Sequence, residues 1–441
     1  MSLFLQIDLP AALTGTLAAI CCALLGNFLL LRRQSLLGDA ISHTVLPGIV
    51  VGFLVFGTRS AGPMLLGAVV AALVAAVLIE LVKRYGRLEP GAAMGVVFSV
   101  MFALGVLLIE LAAVHSVDLD AQCVLYGQLE DILWLGPQTM GDLLKPGMWG
   151  GFPREATTLA IITVIVALAI AVFFKELRIT AFDPELATSL GIPAGAVHFA
   201  TTALVAVAAV ASFEAVGSIL VVAMLVCPAA TARMFTDRLS TQVWLSAGFA
   251  VIVGVGGYVL GAFGPMWIGL DNSVSAAGMM TVLAGAMMAL AIFTAPNHGV
   301  IAKRLRALSL SAGVAREDLL AMLYRLEENK AGVALSAENI RAALGGGAPP
   351  RIALRRARRR GEITLAKIGA GLTDAGRAEA RRLVRTHRLW ETYLVNELGL
   401  RPDHVHSTAE TLEHVTTEAM ARELRRQTDE ATDPHGKPIP D

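Results

Sequence analysis

The first 300 residues contain a series of apolar stretches, each long enough to cross the hydrocarbon core of a membrane. One crossing needs about 20 apolar residues in a helix, and in lipid the backbone polar groups must find their partners within the segment. The predicted fold class is therefore an all-α polytopic membrane protein with about nine transmembrane helices. The stretches lie near residues 11–31, 40–57, 63–82, 92–112, 157–174, 196–213, 215–232, 242–263 and 275–294.

Basic residues between these stretches predict their orientation, because cytoplasmic loops carry an excess of Lys and Arg. With nine crossings, all five basic clusters fall on one side, which we assign to the cytoplasm. We expect a multi-pass protein of the cell (inner) membrane with its N-terminus outside and its C-terminal part in the cytoplasm. The clusters are Arg32 with Arg33, Lys83 with Arg84 and Arg87, Lys175 with Arg178, Arg233 with Arg238, and Lys303 with Arg304.

An acid and a histidine stand four residues apart at the start of the second apolar stretch. Asp39 and His43 share one face of a helix, where they could grip one cation together. An ionisable side chain at the centre of a membrane helix costs about 2.5–3.5 kcal/mol on insertion scales, so we expect the pair to have a function. The alternative is a polar pair buried for packing between helices.

The residues around this pair also carry a family resemblance. Residues 32–48 read Arg-Arg-x-Ser-Leu-x-Gly-Asp-Ala-x-Ser-His-x-Val-Leu-Pro-Gly. This pattern resembles the signature of ABC-transporter permeases of the manganese/zinc/iron type. The resemblance implies that Asp39 and His43 line the metal path. Residues 117–127, between the fourth and fifth stretches, resemble the manganese/iron branch more than the zinc branch.

A short cytoplasmic helix is predicted between the fifth and sixth stretches. Asp183 suits an N-cap and Pro184 the first helical position, and Gly191 suits the end of the helix. The segment resembles the helix with which these permeases dock their ATPase, so Phe182, Asp183, Pro184 and Glu185 are the predicted coupling residues. The alternative is an ordinary interfacial helix.

The charged residues are concentrated after residue 300, where 24 of the 36 Lys and Arg and 19 of the 36 Asp and Glu are found. Apolar periodicity predicts an amphipathic helix over 315–329, and a second helix follows over 336–344. A basic helix at 351–360 then precedes a small hairpin, a pattern typical of a winged helix-turn-helix. Arg351, Arg355 and Arg356 are the predicted contacts to nucleic acid or anionic lipid. The alternative is a solvated basic face.

The last 66 residues hold six imidazole and carboxylate side chains at helical spacing. His406, Glu410, Glu413 and His414 share one face of a helix, and His387 and Glu391 are four residues apart on a preceding helix. Such donors bind divalent metal ions. The sequence therefore predicts a mainly α-helical tail that combines a winged helix with a metal-binding domain.

The tail resembles the diphtheria-toxin-repressor family of metal-dependent regulators from about residue 316 to 440. The resemblance rests on Leu372-Thr373, His387-Arg388-Leu389-x-Glu391, Val405-His406, Leu412-Glu413-His414-Val415 and Pro434-His435-Gly436. It implies that the six side chains bind the sensed cation and that Asp318 is a further ligand. Glu410 stands where iron-sensing members have cysteine, as in manganese-sensing members. Ala321 departs from the acid of that branch.

These observations predict the permease subunit of an ATP-driven importer of divalent metal, with manganese first, then iron or zinc. The predicted divisions are a transmembrane domain at 1–297, a linker at 298–314, a winged-helix-like domain at 315–375 and a metal-binding and dimerisation-like domain at 376–441. The chain itself is not expected to be an enzyme, because it contains no Gly-x-x-x-x-Gly-Lys-Ser/Thr motif. The expected partners are an ABC ATPase, an extracytoplasmic metal-binding protein, a second permease subunit (the same or a paralogue) and membrane lipids, with DNA left open.

Two other functions fit parts of the sequence. One is a membrane-tethered, metal-dependent transcription regulator, against which the intact Asp39–His43 pair and the coupling segment argue. The other is a proton-driven carrier, which the resemblance to a coupling helix disfavours.

Overall fold

The computed structural model divides into two compact units, Met1–Ala302 and Lys303–Asp441. The residues that the structure describes are 4–34, 36–57, 61–113, 129–136, 139, 141, 149, 151–267, 269, 273–329, 336–366, 369–428 and 431–440. The segment 117–127, which carried the resemblance to the manganese/iron branch, lies outside them.

The apolar stretches of the first unit form helices, as their length predicted. A short π-helix, Phe4–Asp8, precedes α1, and a 3₁₀ turn at Leu129–Asp131 follows α5. The helices are α1 Leu9–Leu31, α2 Leu37–Thr44, α3 Leu46–Phe56, α4 Ala61–Gly86, α5 Pro90–Ala113, α6 Arg154–Val172, α7 Phe174–Phe182, α8 Pro184–Ser189, α9 Ala194–Phe235, α10 Leu239–Trp267 and α11 Ala276–Thr294.

Eight helical segments among the described residues are long and apolar enough to cross a membrane. One of them, α9, has 42 residues. A straight helix of that length would measure about 63 Å, twice the thickness of the hydrocarbon core of about 30 Å. Gly217 interrupts α9 with φ 77° and ψ 164°, a backbone conformation that glycine adopts without a steric penalty.

Contacts at the ends of the helices place both ends of α9 at the same face of the unit. Residues near the start of α1 and the start of α11 meet through the 129–134 segment, since the backbone N–H groups of Trp134 and Ala276 bond to Gln6 and Glu130 respectively. The ends of α1 and α11 therefore share the opposite face. Arg32, which follows α1, contacts His198 near the start of α9.

The far end of α9 meets the same face through the residues that follow α11. The Asn297 side chain donates to the backbone oxygen of Phe235 at 2.8 Å. The chain thus crosses twice within α9 and turns at Gly217. The eight apolar helical segments of the described residues can therefore make nine crossings, and the predicted fold class is confirmed.

Helix α1 lies at the centre of the first unit and packs on α6, α9 and α10. The Asn27 amide donates to the Ser246 hydroxyl at 2.7 Å, which pairs two buried polar groups between α1 and α10. Gly26 allows α1 to approach the second half of α9, because a Cβ at this position would lie 1.9 Å from the backbone oxygen of Leu225. Small residues permit such close approach of helices in lipid.

The second unit begins within a long helix. Helix α12 spans Val300–Glu328, so the helix predicted from residue 315 starts fifteen residues earlier, and most of the segment predicted as a linker is helical. Residues 300–314 contain no proline and only one glycine, Gly313, so nothing in them ends a helix. The remaining elements are α13 Ala337–Ala343, α14 Ala348–Arg359, β1 Ile363–Ala366, β2 Gly369–Leu372, α15 Asp374–Asn396, a 3₁₀ turn Pro402–His404, α16 His406–Glu413 and α17 Glu418–Thr428.

The core of the second unit joins the long helix to the hairpin. Strands β1 and β2 pair antiparallel, with Ile363 opposite Leu372. The buried Arg316 of α12 donates to both carboxylate oxygens of Glu362, immediately before β1, at 2.8 and 2.9 Å. Because this bidentate pair has a defined geometry, it fixes the start of the hairpin relative to α12. The apolar residues of this core are Leu319, Leu320, Leu323, Ile340, Leu354, Ala357, Ile363, Ala370, Leu372, Ala380 and Leu383.

The close approach at Gly26 yields a prediction about stability. Gly26→Ala forces α1 and α9 apart, and overpacking of this kind costs about 1–3 kcal/mol. We expect a lower melting temperature for the purified protein in detergent. Gly285→Ala in α11 is the matched control, because a Cβ there meets nothing within 4 Å. A melting temperature for Gly26→Ala equal to that of the control contradicts the close contact between α1 and α9.

Candidate metal sites

The predicted transport pair lies on the short helix α2. The His43 Nε2 and Asp39 Oδ1 atoms are 3.8 Å apart, and the Asp39 side chain is about half exposed at 54%. Pro47 at the start of α3 and the left-handed Arg33 (φ 58°) before α2 separate this helix from its neighbours. The two donors therefore stand on one turn, as their spacing predicted.

Aromatic rings hold the imidazole of this pair in place. The ring of His43 lies 5.0 Å from that of Phe98 and 5.5 Å from that of Phe102, both on α5. Within the described residues, no third His, Cys, Asp or Glu joins Asp39 and His43 to form a group of three donors. The pair alone offers fewer ligands than a bound divalent ion takes.

A hydrogen-bonded junction links the end of α1 to both flanks of the predicted coupling segment. Arg32 donates to Thr180 on α7 at 3.1 Å and lies 3.1 Å from the ring nitrogen Nδ1 of His198 on α9. The other ring nitrogen of His198 lies 3.5 Å from Glu80 on α4. The sequence showed Arg32 as part of a motif, but nothing in it indicated these partners, which come from distant parts of the chain.

The predicted coupling segment forms the helix α8. The Asp183 carboxylate accepts from the backbone N–H of Leu186 at 2.9 Å, as an N-cap does, and Pro184 opens the helix. Glu185 is exposed, and Phe182 is exposed at 55%. Leu186 and Leu190 are also exposed, at 50% and 61%, so this helix presents an apolar and acidic surface.

The tail residues separate into two groups of possible metal ligands. The first, which we name the His387 group, contains His387, Glu391 and His406. Oε1 of Glu391 lies 3.1 Å from Nε2 of His387 and 2.9 Å from Nδ1 of His406, and these two nitrogens are 3.1 Å apart. Three donor atoms from α15 and α16 thus converge on one point.

The second group, the His414 group, contains Asp318, Glu413 and His414. Nε2 of His414 lies 3.1 Å from Asp318 on α12 and 4.0 Å from Oε1 of Glu413. Glu317 holds the other ring nitrogen at 2.7 Å. Glu317 was not predicted from the sequence, because its neighbour Asp318 carried the resemblance and nothing local distinguishes the two acids.

Glu413 connects the two groups through its two oxygens. Its Oε2 atom lies 2.6 Å from Nδ1 of His387, while Oε1 faces His414. A carboxylate on one imidazole nitrogen directs the other nitrogen towards a metal, so His387 offers Nε2 to its own group. The buried Glu413 is at once a candidate ligand of one group and an orienting residue of the other.

Glu410 does not join either group. It lies on α16 between His406 and Glu413, and its side chain is exposed. The structure instead brings His435 close to the His387 group, with Nε2 3.9 Å from Oε1 of Glu391. His435 belongs to one of the family motifs of the tail, but nothing in the sequence indicated its position beside this group.

The acids and histidines of the tail shift one another's pKa values. Burial favours a higher pKa for Glu391, but hydrogen bonds from His387 and His406 outweigh it and lower its pKa to about 2. Hydrogen bonds to Asp318 and Glu317 raise the pKa of His414 to about 10. Burial lowers the pKa of His387, but its bonds to Glu391 and Glu413 give a net rise. Without metal, protons on the histidines therefore balance the negative charge of the carboxylates, and a bound cation can replace these protons. Both donor sets fit a divalent ion.

The basic helix α14 presents part of the predicted arginine surface. Arg351 and Arg355 are exposed and line a shallow depression with Gly347, Ala348 and Ile352. Arg356 is half-buried and donates to the backbone oxygen and the hydroxyl of Ser309 on α12 at 3.0 and 3.1 Å. Arg356 is thus engaged within the unit, in contrast to its two neighbours.

Comparison with known proteins matches two separate parts of the chain. Residues 5–134 and 153–295 match the ABC 3 transport family. Residues 373–441 match the metal binding and dimerisation domain of the iron dependent repressors.

Relatives and a solved structure extend these matches. The chain is 38% identical over 298 residues to the manganese transport system membrane protein MntD of Bacillus subtilis, covering 67% of this chain and 95% of that protein. It is 36% identical to the zinc transport system membrane protein TroD of Treponema pallidum, covering 69% of this chain and 79% of that protein. The structure of PsaBC from Streptococcus pneumoniae in complex with Fab superposes with a TM-score of 0.51 at 30% identity, covering 65% of this chain and 91% of that chain.

The match to the ABC 3 transport family agrees with the resemblance found in residues 32–48. The match to the iron dependent repressors agrees with the resemblance found in the tail. The chain belongs to the ABC 3 transport family and carries a C-terminal domain of the iron-dependent-repressor type.

Proposed function

We propose that this chain is the membrane permease subunit of an ATP-driven importer of divalent metal and that its tail senses the imported metal in the cytoplasm. The observation that carries the proposal is the Asp39–His43 pair, two cation ligands on one turn of a helix within the membrane unit. Ionisable residues inside a membrane mark ion pathways. The names of the relatives, which transport manganese or zinc, support metal as the substrate.

Manganese is the first candidate substrate, followed by iron and zinc. Imidazole and carboxylate ligands accept all three ions, so the pair itself does not choose among them. The similarity to MntD, a manganese protein, favours manganese.

A second permease subunit, a copy of this chain or a paralogue, completes the path in this proposal. Asp39 and His43 supply two donors and stay partly exposed. A facing subunit would supply further ligands across a shared channel, and the apolar outer surface of the helices would contact lipid.

Replacing the transport pair tests the proposal. We expect Asp39→Ala and His43→Ala each to abolish metal uptake by the assembled transporter, because loss of a ligand leaves the ion without a site. The measurement is uptake of radioactive manganese into cells, with protein levels checked in the membrane.

A second acid–histidine pair provides the matched control. Asp237 and His298 are 2.9 Å apart on the same unit and lie in the turns that follow α9 and α11. Asp237→Ala and His298→Ala should leave uptake unchanged. Wild-type uptake by both Asp39→Ala and His43→Ala disproves the role of the transport pair.

Energy comes from a separate ABC ATPase that docks on α8 in this proposal, and an extracytoplasmic binding protein delivers the metal. The exposed apolar and acidic surface of α8 supports docking. The junction at Arg32 supports transmission, because it ties the segments on both sides of α8 to the turn that leads into Asp39 and His43.

Charge reversal on α8 tests docking. Glu185→Lys should reduce co-purification of the ATPase by about tenfold without changing insertion into the membrane, since charges at an interface select the partner. Glu89→Lys is the control, because Glu89 is also exposed but lies in the turn between α4 and α5. If the complex survives Glu185→Lys and substitutions of Phe182, Asp183 and Pro184, α8 is not the docking helix.

The tail regulates the transporter in this proposal by binding metal that has reached the cytoplasm. The His387 and His414 groups take ligands from α12, α15 and α16, so a bound ion orders these helices. By resemblance, Glu410 would complete the set after a change of side-chain conformation. Ordering can favour one transporter state only through a difference in affinity between states, typically about 1–3 kcal/mol.

Feedback predicts a specific response in membrane vesicles that hold the complete transporter. Preloading with manganese should slow uptake by the wild type about fivefold or more, but it should not slow His406→Ala/Glu413→Gln. His404→Ala serves as the control, because His404 is exposed and belongs to neither group. If metal binds the wild-type tail but preloaded vesicles of the wild type and the double variant take up metal at equal rates, the site is structural and the tail does not regulate transport.

A membrane-tethered transcription regulator is the second candidate function. The observation that favours it is the exposed pair Arg351 and Arg355 on α14, beside a two-stranded hairpin, because arginines on such a helix contact phosphate groups in DNA. The same arginines fit anionic lipid headgroups.

A further inference from the structure

The first three turns of α12 expose a concentration of large apolar side chains. Val300, Ile301, Leu305, Leu308 and Leu310 are each 37–73% exposed. Among the described residues after position 310, only six large apolar side chains are exposed, and they are spread over several elements. Exposed apolar side chains that cluster in this way mark surfaces that contact a partner or a membrane.

Three of these side chains form one stripe along the helix. Ile301, Leu305 and Leu308, which we name the α12 stripe, follow the i, i+4, i+7 spacing that places residues on one face. Ala312 and Leu319 continue the same face and are buried within the second unit. The face is therefore a contact surface whose later part packs in the unit and whose first part is exposed.

The charged residues beside the α12 stripe are all basic. Lys303, Arg304 and Arg306 lie among its residues, and no acidic residue occurs between Val300 and Arg316. The side chains of Lys303 and Arg304 are exposed. An apolar stripe combined with basic residues on the rest of the helix is typical of helices that lie in the interface of a membrane. Such basic residues are attracted to anionic lipid headgroups.

The start of α12 is tied to the place where the last membrane helix ends. Helix α11 ends at Thr294 and α12 begins at Val300, and six residues of chain span at most about 20 Å. The turn between them is held to the end of α9, because Asn297 donates to the backbone oxygen of Phe235. The first turns of α12 are therefore within reach of the lipid surface at which α9 and α11 end.

We propose that the α12 stripe binds the surface of the membrane at the end of α11 and that the occupant is anionic phospholipid. Ile301, Leu305 and Leu308 lie between the acyl chains near the headgroups, and Lys303 and Arg304 contact phosphate groups. Long basic side chains can lie along an apolar surface while their charged ends remain in water. The inference goes beyond the proposed function, since it does not depend on whether the tail senses metal.

The bound helix also carries two acids that contact His414. Glu317 and Asp318 lie on α12, 2.7 and 3.1 Å from the two ring nitrogens of His414. Lipid at the first turns of α12 and the imidazole at its later turns thus act on one continuous helix. Membrane contact restricts the movement of the helix that supplies Asp318 to the His414 group.

The test uses the full-length chain in vesicles of phosphatidylcholine with or without phosphatidylglycerol, an anionic phospholipid. A photoreactive phenylalanine analogue replaces Leu305 or, as the matched control, Leu310. Leu310 is more exposed than Leu305, at 73% against 61%, but it lies about 140° around the helix from Leu305. Mass spectrometry identifies the molecules that each probe captures on illumination.

We expect the probe at Leu305 to capture phospholipid, with a yield about fivefold higher in the anionic vesicles. The probe at Leu310 should capture little lipid in vesicles of either composition. Capture of a second copy of the chain at Leu305 in place of lipid overturns the proposal and makes the stripe an interface between copies. Equal lipid capture at Leu305 and Leu310, or none at either, also overturns it.

Charge reversal tests the preference for anionic lipid. Lys303→Glu/Arg304→Glu should abolish the extra capture that phosphatidylglycerol causes at Leu305, because the reversed charges repel its headgroup. Arg422→Glu/Arg426→Glu on α17 is the matched control, since these two arginines are also exposed, and it should leave the capture unchanged. Lipid capture that responds neither to phosphatidylglycerol nor to Lys303→Glu/Arg304→Glu overturns the assignment of anionic phospholipid.

Discussion

The absence of water in the hydrocarbon core is the constraint on which the membrane unit depends. Every backbone N–H and C=O there must be satisfied within the chain, which permits long helices and makes each interruption costly. The described interruptions therefore stand out. Pro47 opens α3 without a backbone N–H to donate, and Gly217 leaves the helical conformation within α9. The helical hydrogen bond that Pro47 cannot make is the one to the backbone oxygen of His43, so this interruption falls at the predicted transport pair.

The parts of this structure that were predictable from sequence follow from local periodicity. Apolar length predicted the crossings, and i, i+4 spacing predicted the pairs Asp39–His43 and His387–Glu391, which the structure places 3.8 and 3.1 Å apart. Spacing defines the face of one helix and says nothing about what another helix brings to it. For that reason Glu317 and His435 were missed, and six tail residues that read as one set divide into two groups.

The same limit explains Glu410 and the start of α12. Glu410 lies within the stripe of His406 and Glu413, yet it joins neither group, because spacing along the eight-residue α16 does not fix which side chains meet those of α15. Helix α12 begins at Val300 because charged residues there are as compatible with a helix as apolar ones. The rise in charged residues after residue 300 indicates that the chain leaves the apolar environment of the membrane unit, but it does not indicate where a helix begins or ends.

Glu413 gives the two tail groups a means of influencing each other. Its Oε2 atom orients His387 and its Oε1 atom faces His414. In the proposed sensing function, a cation bound by His414 and Oε1 would also fix Oε2, the atom that orients His387. Binding at one group would then alter the position of a ligand in the other, and thermodynamic linkage would make this influence mutual.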